Sequence, residues 1–278
     1  MASSSPASIP LPTAGNYTEF VDSFTGHRHQ VDSNGIMNNL AYPSLVPYVN
    51  DYWDCAGSGT ATTVTSWQTT AVGAGTIAIP TASIASGNPT SAQILDGGNH
   101  PGVISISSST TANSGIQATW GTSASALLIK GGEVFDCVFL ISTFATTTYR
   151  FGFHDSATSA DAVDGIYFEL PASGAAVGKT SNNSVRTTSA TIATLVVNTW
   201  YHARIKVNSN ASSVTFSLYD TSGVLLGSQA VTTNIPITAG RDCLPRFIAT
   251  NSGVVATFLC QLDLIGFQKP VLRGAKTV

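Results

Sequence analysis

Trp200-Tyr201-His202-Ala203-Arg204-Ile205-Lys206-Val207 alternates polar with small or apolar side chains. Successive side chains of a strand point to opposite faces. Ala203, Ile205 and Val207 are therefore expected on a core, and His202, Arg204 and Lys206 away from it. The same period continues in Val214, Phe216 and Leu218, after which Asp220-Thr221-Ser222-Gly223 supplies a hairpin turn. Upstream, Ile166, Phe168 and Leu170 oppose Tyr167 and Glu169, and Phe151 and Phe153 share a face within 149–154. Lys130-Gly131-Gly132 is a turn signal before the apolar run Val134 to Ile141. Residues 102–107 and 115–120 are further candidate strands, and 254–267 reads as one long strand or a pair. No twelve-residue segment sustains a period of 3.6, so the expected class is all-β, an antiparallel β-sandwich.

Composition agrees. Of 278 residues, 33 are Ser and 35 are Thr, and only 10% are charged. Thr, Ser, Val, Ile and Gly belong to strands and turns rather than to helices. The formal net charge of −3 argues against a basic nucleic-acid binder, and 43% hydrophobic residues argue against a disordered chain. No uninterrupted apolar stretch suits a membrane helix, and the first thirteen residues lack the pattern of a signal peptide. The expected partners therefore include no nucleic acid and no membrane.

Cys55, Cys137, Cys243 and Cys260 form no CxxC pair, and the two nearest are 17 residues apart. Zinc spacing is absent, and Cys137 and Cys260 lie in strand-like runs that suit small buried hydrophobes. Five prolines precede residue 50. Residues 1–58 accordingly read as an extended N-terminal arm used in assembly, anchored by Tyr17, Phe20, Phe24, Tyr42 and Tyr48. Residues 59–278 read as the sandwich domain.

Gly131-Gly132-Glu133-Val134-Phe135, Tyr149-Arg150-Phe151-Gly152-Phe153 with Asp155, Asp164-Gly165-Ile166-Tyr167-Phe168-Glu169, Thr199-Trp200-Tyr201 and Arg204-Ile205-Lys206-Val207 follow one another along the chain. Together with Asn99-His100-Pro101-Gly102-Val103, this set resembles the concanavalin-A-like (laminin-G-like) jelly-roll modules of bacteriophage virion structural proteins, over residues 97 to 268. The resemblance implies a jelly roll located in the virion. The implied function is capsid decoration: a cement protein that stabilises the head through contacts with the major capsid protein, other virion proteins and copies of itself. The alternative is a tail- or head-fibre module that recognises host surface glycans.

A glycosidase needs two carboxylates flanking the sugar. Asp164 and Glu169 are the nearest approach, and their odd spacing puts them on opposite faces of a regular strand. There is no GxSxG elbow. The expectation is that the chain is not an enzyme and carries no cofactor. His27 and His29 with Asp22 and Asp32, or Asp155, Asp161 and Asp164, offer metal ligands, but a polar arm contacting another chain and a solvated turn, respectively, are the favoured explanations, and no metal is expected. Arg150, Tyr167, Glu169, His202 and Arg204 are the candidate glycan-binding residues, all at outward strand positions. Rings stack on sugar faces, and charged forks bind hydroxyls and carboxylates. An ordinary solvated sheet face is the competing explanation.

Overall fold

The computed structural model describes strands at 17–21, 28–32, 37–39, 48–53, 63–64, 67–72 and 104–107, together with residues 111–121, 127–251 and 259–270. The chain divides into two units, Met1–Pro47 with Val271–Val278, and Tyr48–Pro270. In the first unit, β1 (Tyr17–Val21), β2 (Arg28–Asp32) and β3 (Met37–Asn39) make a three-stranded antiparallel sheet. These strands fall between the prolines of the segment read as an arm. Tyr17 and Phe20 lie on β1, whereas Phe24 and Tyr42 lie outside the described residues.

The second unit is a β-sandwich, and no helix occurs among its described residues. Its strands are β4 (Tyr48–Trp53), β5 (Thr63–Val64), β6 (Trp67–Val72), β7 (Ile104–Ser107), β8 (Gly115–Trp120), β9 (Val134–Ile141), β10 (Thr147–His154), β11 (Gly165–Leu170) and β12 (Ala175–Asn182). They continue with β13 (Val185–Thr188), β14 (Ala193–Thr194), β15 (Trp200–Val207), β16 (Val214–Tyr219), β17 (Leu225–Val231), β18 (Leu244–Asn251) and β19 (Leu259–Pro270). Among the described residues, one sheet has nine strands in the order β13-β12-β11-β10-β18-β8-β6-β5, with β14 beside β12. The other has seven, in the order β17-β16-β15-β9-β19-β4, with β7 beside β19. The pairs are antiparallel. Tyr48 opens β4, so this aromatic belongs to a sandwich strand.

The inward faces carry the alternation read from the sequence. Ala203, Ile205, Val207, Val214, Phe216 and Leu218 of one sheet, and Phe151, Phe153, Ile166, Phe168 and Leu170 of the other, are all fully buried. Rings bridge the sheets: Phe139 to Phe151 at 5.0 Å, Phe135 to Phe153 at 5.8 Å and Phe168 to Phe216 at 5.4 Å. Non-directional burial of this apolar area holds the sheets together, at about 25 cal/mol per Å². Two glycines are set by packing. A Cβ on Gly178 would lie 2.3 Å from the Phe216 ring, and one on Gly152 (φ +142°) would lie 2.5 Å from the Ile166 carbonyl oxygen. The turn at Asp220 is as read: Gly223 N donates to Asp220 O, and Asp220 Oδ1 accepts from Ser222 and Val224 N–H. β19 is one long strand from Leu259.

Cys137, Cys243 and Cys260 are buried; Cys55 lies outside the described residues. Burial pushes the Cys243 and Cys260 thiols well above their ordinary value.

Candidate functional site

The five candidate glycan-binding residues do not share a face. Arg150, Tyr167 and Glu169 stand on β10 and β11 of the nine-stranded sheet, and His202 and Arg204 stand on β15 of the seven-stranded sheet. Two separate polar clusters result.

The first cluster is buried, which corrects the expectation of solvent-facing positions. Tyr167 is fully buried and Arg150 is 8% exposed. The loop between β10 and β11 folds back over them. Arg150 Nη1 donates to Ser159 O and Ala160 O, and the Tyr167 hydroxyl donates to Asp161 Oδ1 at 2.5 Å. Ser181 Oγ and Arg186 donate to Ala162 O from the neighbouring strands. Beneath the loop, Arg150 Nε donates to Glu169 Oε2 at 2.7 Å, and Lys179 Nζ bridges Glu169 Oε1 at 2.7 Å and Asp161 Oδ2 at 3.0 Å. Arg186 Nε stands 3.3 Å from the same Asp161 carboxylate. Burial raises the Asp161 carboxyl, but the Tyr167 hydroxyl and Lys179 ammonium outweigh it and hold it below the usual carboxylate range.

The loop acids considered as calcium ligands are occupied within this architecture. Asp155 Oδ1 accepts from Val163 N–H, and Asp161 is bound by cations. Asp164 accepts from Asn183 N–H and from Arg241 Nη1. The pairing Asp161–Glu169 was not read from the sequence. Their carboxylates meet on one Lys179 ammonium, brought there by a loop and a strand.

The second cluster is accessible. Asp136 of β9 lies between Arg204 and Gly266 in register, and it interrupts the apolar run Val134 to Ile141. Its carboxylate is nearly buried. It takes His202 Nε2 at 2.7 Å and Arg204 Nε at 2.7 Å on the same oxygen, with Arg204 Nη2 at 3.3 Å on the other. The Arg204 side chain is 47% exposed and that of His202 31%. The imidazole stacks on the Tyr219 ring, with centroids 5.4 Å apart and 24° between planes. Burial raises the Asp136 carboxyl, and hydrogen bonds from His202 and Arg204 more than offset this, holding it low. Asp136 and Tyr219 were missed as site residues. An acid within an apolar strand is the available signal, since a buried charge requires a partner.

Comparison with solved structures places this architecture. The crystal structure of SO2946, a protein of unknown function from Shewanella oneidensis MR-1, aligns with a TM-score of 0.63 at 20% identity, covering 86% of this chain and 92% of that one. A Bacillus licheniformis β-glucanase aligns with a TM-score of 0.52 at 11% identity, covering 79% and 98%. Peanut lectin aligns with a TM-score of 0.49 at 8% identity, covering 82% and 100%. The concanavalin-A-like jelly roll expected from the sequence is thus the fold. The expectation that the chain is not an enzyme is corrected by the β-glucanase, because that enzyme works on the same architecture. No curated protein sequence matches. The model of the family "SO2946-like, C-terminal domain" matches residues 99–263, more than half of the chain, and the chain belongs to that family.

Proposed function

We propose that the protein is a glycan-binding β-sandwich that presents its binding groups on the solvent side of the seven-stranded sheet. The observation that carries this reading is the clamping of His202 and Arg204 by one buried carboxylate, Asp136, beside the Tyr219 ring. The clamp fixes a half-exposed guanidinium and imidazole at little further entropic cost, so they meet a ligand already oriented. A ring face beside hydrogen-bonding forks suits a pyranose, which offers an apolar face rimmed by hydroxyls. Ser217 and Ser228, hydrogen-bonded across β16 and β17, extend the polar row beside Arg204. A glycan array probed with the purified chain tests the reading. Binding is expected, and R204A and Y219A should each lower it at least tenfold. Absence of binding, or binding indifferent to both substitutions, overturns it.

A second reading, capsid decoration through subunit contacts, is favoured by Val224, Leu225 and Leu226, which are 58%, 52% and 44% exposed at the start of the edge strand β17. Consecutive exposed apolar residues on a strand edge favour contact with another chain. Cosedimentation with phage heads lacking their decoration protein tests it. Retention lost in L225K/L226K supports it, and no retention of the wild type overturns it.

A further inference from the structure

His154, at the end of β10, is fully buried, and neither ring nitrogen has a hydrogen-bond partner. Its ring centroid lies 5.5 Å from that of Tyr167. Across the ladder, His154 pairs with Leu244, two residues before Arg246 on β18, and Arg246 pairs with Thr119 on its other side. Residues two apart share a face, so His154 and Arg246 are diagonal neighbours on the side of the nine-stranded sheet that also carries Arg150 and Tyr167.

Arg246 is 5% exposed. Its Nη1 donates to Asp155 O at 3.1 Å and its Nε to Thr119 Oγ1 at 3.4 Å. Among the described residues no carboxylate forms an ion pair with it. A buried guanidinium ordinarily takes a carboxylate as a two-pronged partner, and a buried imidazole ordinarily has its nitrogens satisfied. Here both groups fall short, side by side. Burial, with Arg246 and Arg150 nearby, keeps the His154 imidazole well below its ordinary value, and burial pulls the Arg246 guanidinium down.

Arg150, Lys179, Arg186 and Arg246 outnumber Asp155, Asp161 and Glu169 by one cation. The 155–164 loop covers the groups with carbonyl oxygens, Asp155 O on Arg246 and Ser159 O and Ala160 O on Arg150. Carbonyls are weaker acceptors for a guanidinium than carboxylates are. A carboxylate can therefore displace the loop from the donors it now occupies.

We propose that Arg246 and His154 form a binding site for a carboxylate-bearing small molecule, closed over by the 155–164 loop. The guanidinium fork takes the carboxylate, and the imidazole donates a further hydrogen bond to it. This site lies on the opposite sheet from Asp136, His202 and Arg204 and stands independently of that cluster.

The test follows the His154 ring resonances of the full chain, assigned with H154Q, while acetate, glucuronate, glucose or inorganic phosphate is added at constant ionic strength set with sodium chloride. A saturable shift with acetate or glucuronate, together with a raised Tm, is expected. The two carboxylates acting alike identifies a free carboxylate as the ligand, and glucuronate alone identifies a sugar acid; both outcomes support the site. R246K should weaken the affinity at least tenfold, whereas R204A should leave it unchanged. No carboxylate-dependent shift of the His154 ring in the wild type overturns the proposal, as does a response to phosphate alone or an R246K chain that binds like the wild type. Should R246K fail to fold, the wild-type titration decides.

Discussion

Lys269 Nζ donates to Glu133 Oε1 at 2.9 Å, joining the end of β19 to the entrance of β9 within a site where Glu133 is fully buried. The same carboxylate accepts Lys130 N–H at 2.7 Å and Gly131 N–H at 2.8 Å, and Lys269 also donates to Leu128 O. One acid thus closes the Gly131-Gly132 turn, where both glycines have positive φ, and ties it to a strand far along the chain. Removing either partner leaves the other buried and unpaired. E133Q and K269M are each expected to lower stability by about 3–5 kcal/mol. The double variant should lose clearly less than the sum, as measured by urea unfolding. Additive losses would show that the pair is not coupled.

The state of His154 makes stability depend on pH. An unfolded chain takes a proton on this residue near the ordinary value of 6.5, whereas in the folded protein burial and two arginines keep it neutral to much lower pH. Below 6.5 the unfolded state therefore binds more protons, and acid favours it. Stability is expected to fall by up to about 1.4 kcal/mol per pH unit as pH drops from 6.5 to 5. H154Q should flatten that slope, and equal slopes in the two proteins would refute the assignment.

Gly178 has no room for a side chain, because the Phe216 ring of the opposite sheet occupies the place of its Cβ at 2.3 Å. G178A is expected to cost about 1–3 kcal/mol through overpacking. F216L should recover part of that loss in the double variant, although alone it is destabilising. Chemical denaturation of the four proteins measures the coupling.

Phe151 stacks with Phe168 at 5.3 Å and with Phe247 at 5.5 Å, and meets Phe139 of the other sheet at 5.0 Å. Four strands therefore converge on one ring. F151A should cost about 3–5 kcal/mol in unfolding free energy. A loss below 1 kcal/mol would mean that the sandwich collapses around the gap.

Buried thiols are unreactive because the thiolate is the nucleophile. Cys137, Cys243 and Cys260 are expected to resist a thiol reagent in the native protein and to react once it is unfolded in denaturant. Labelling of more than one of the four cysteines before unfolding would contradict their burial.

What the sequence determined by itself was a subset of the strands, among them β9, β10, β11, β15 and β16, and, where the alternation is regular, the two sides of each; β12, β13, β14, β17 and β18 were not read from it. The inward residues of 149–154, 165–170, 200–207 and 214–219 are those the alternation marks, because pleat parity is local and needs no partner. Which strands lie side by side was decided by tertiary structure. Arg150 sits opposite Ile248 and Arg204 opposite Asp136, across long stretches of chain. Outwardness read from parity therefore placed Tyr167 and His202 together, although they stand on different sheets. It also missed that a face turned from the core can be buried again, as the 155–164 loop does to Arg150 and Tyr167. Asp136, Lys179 and Arg246 became site residues only through remote partners, since a charge gains its role from what lies within a few ångströms of it, and strand pairing sets that neighbourhood.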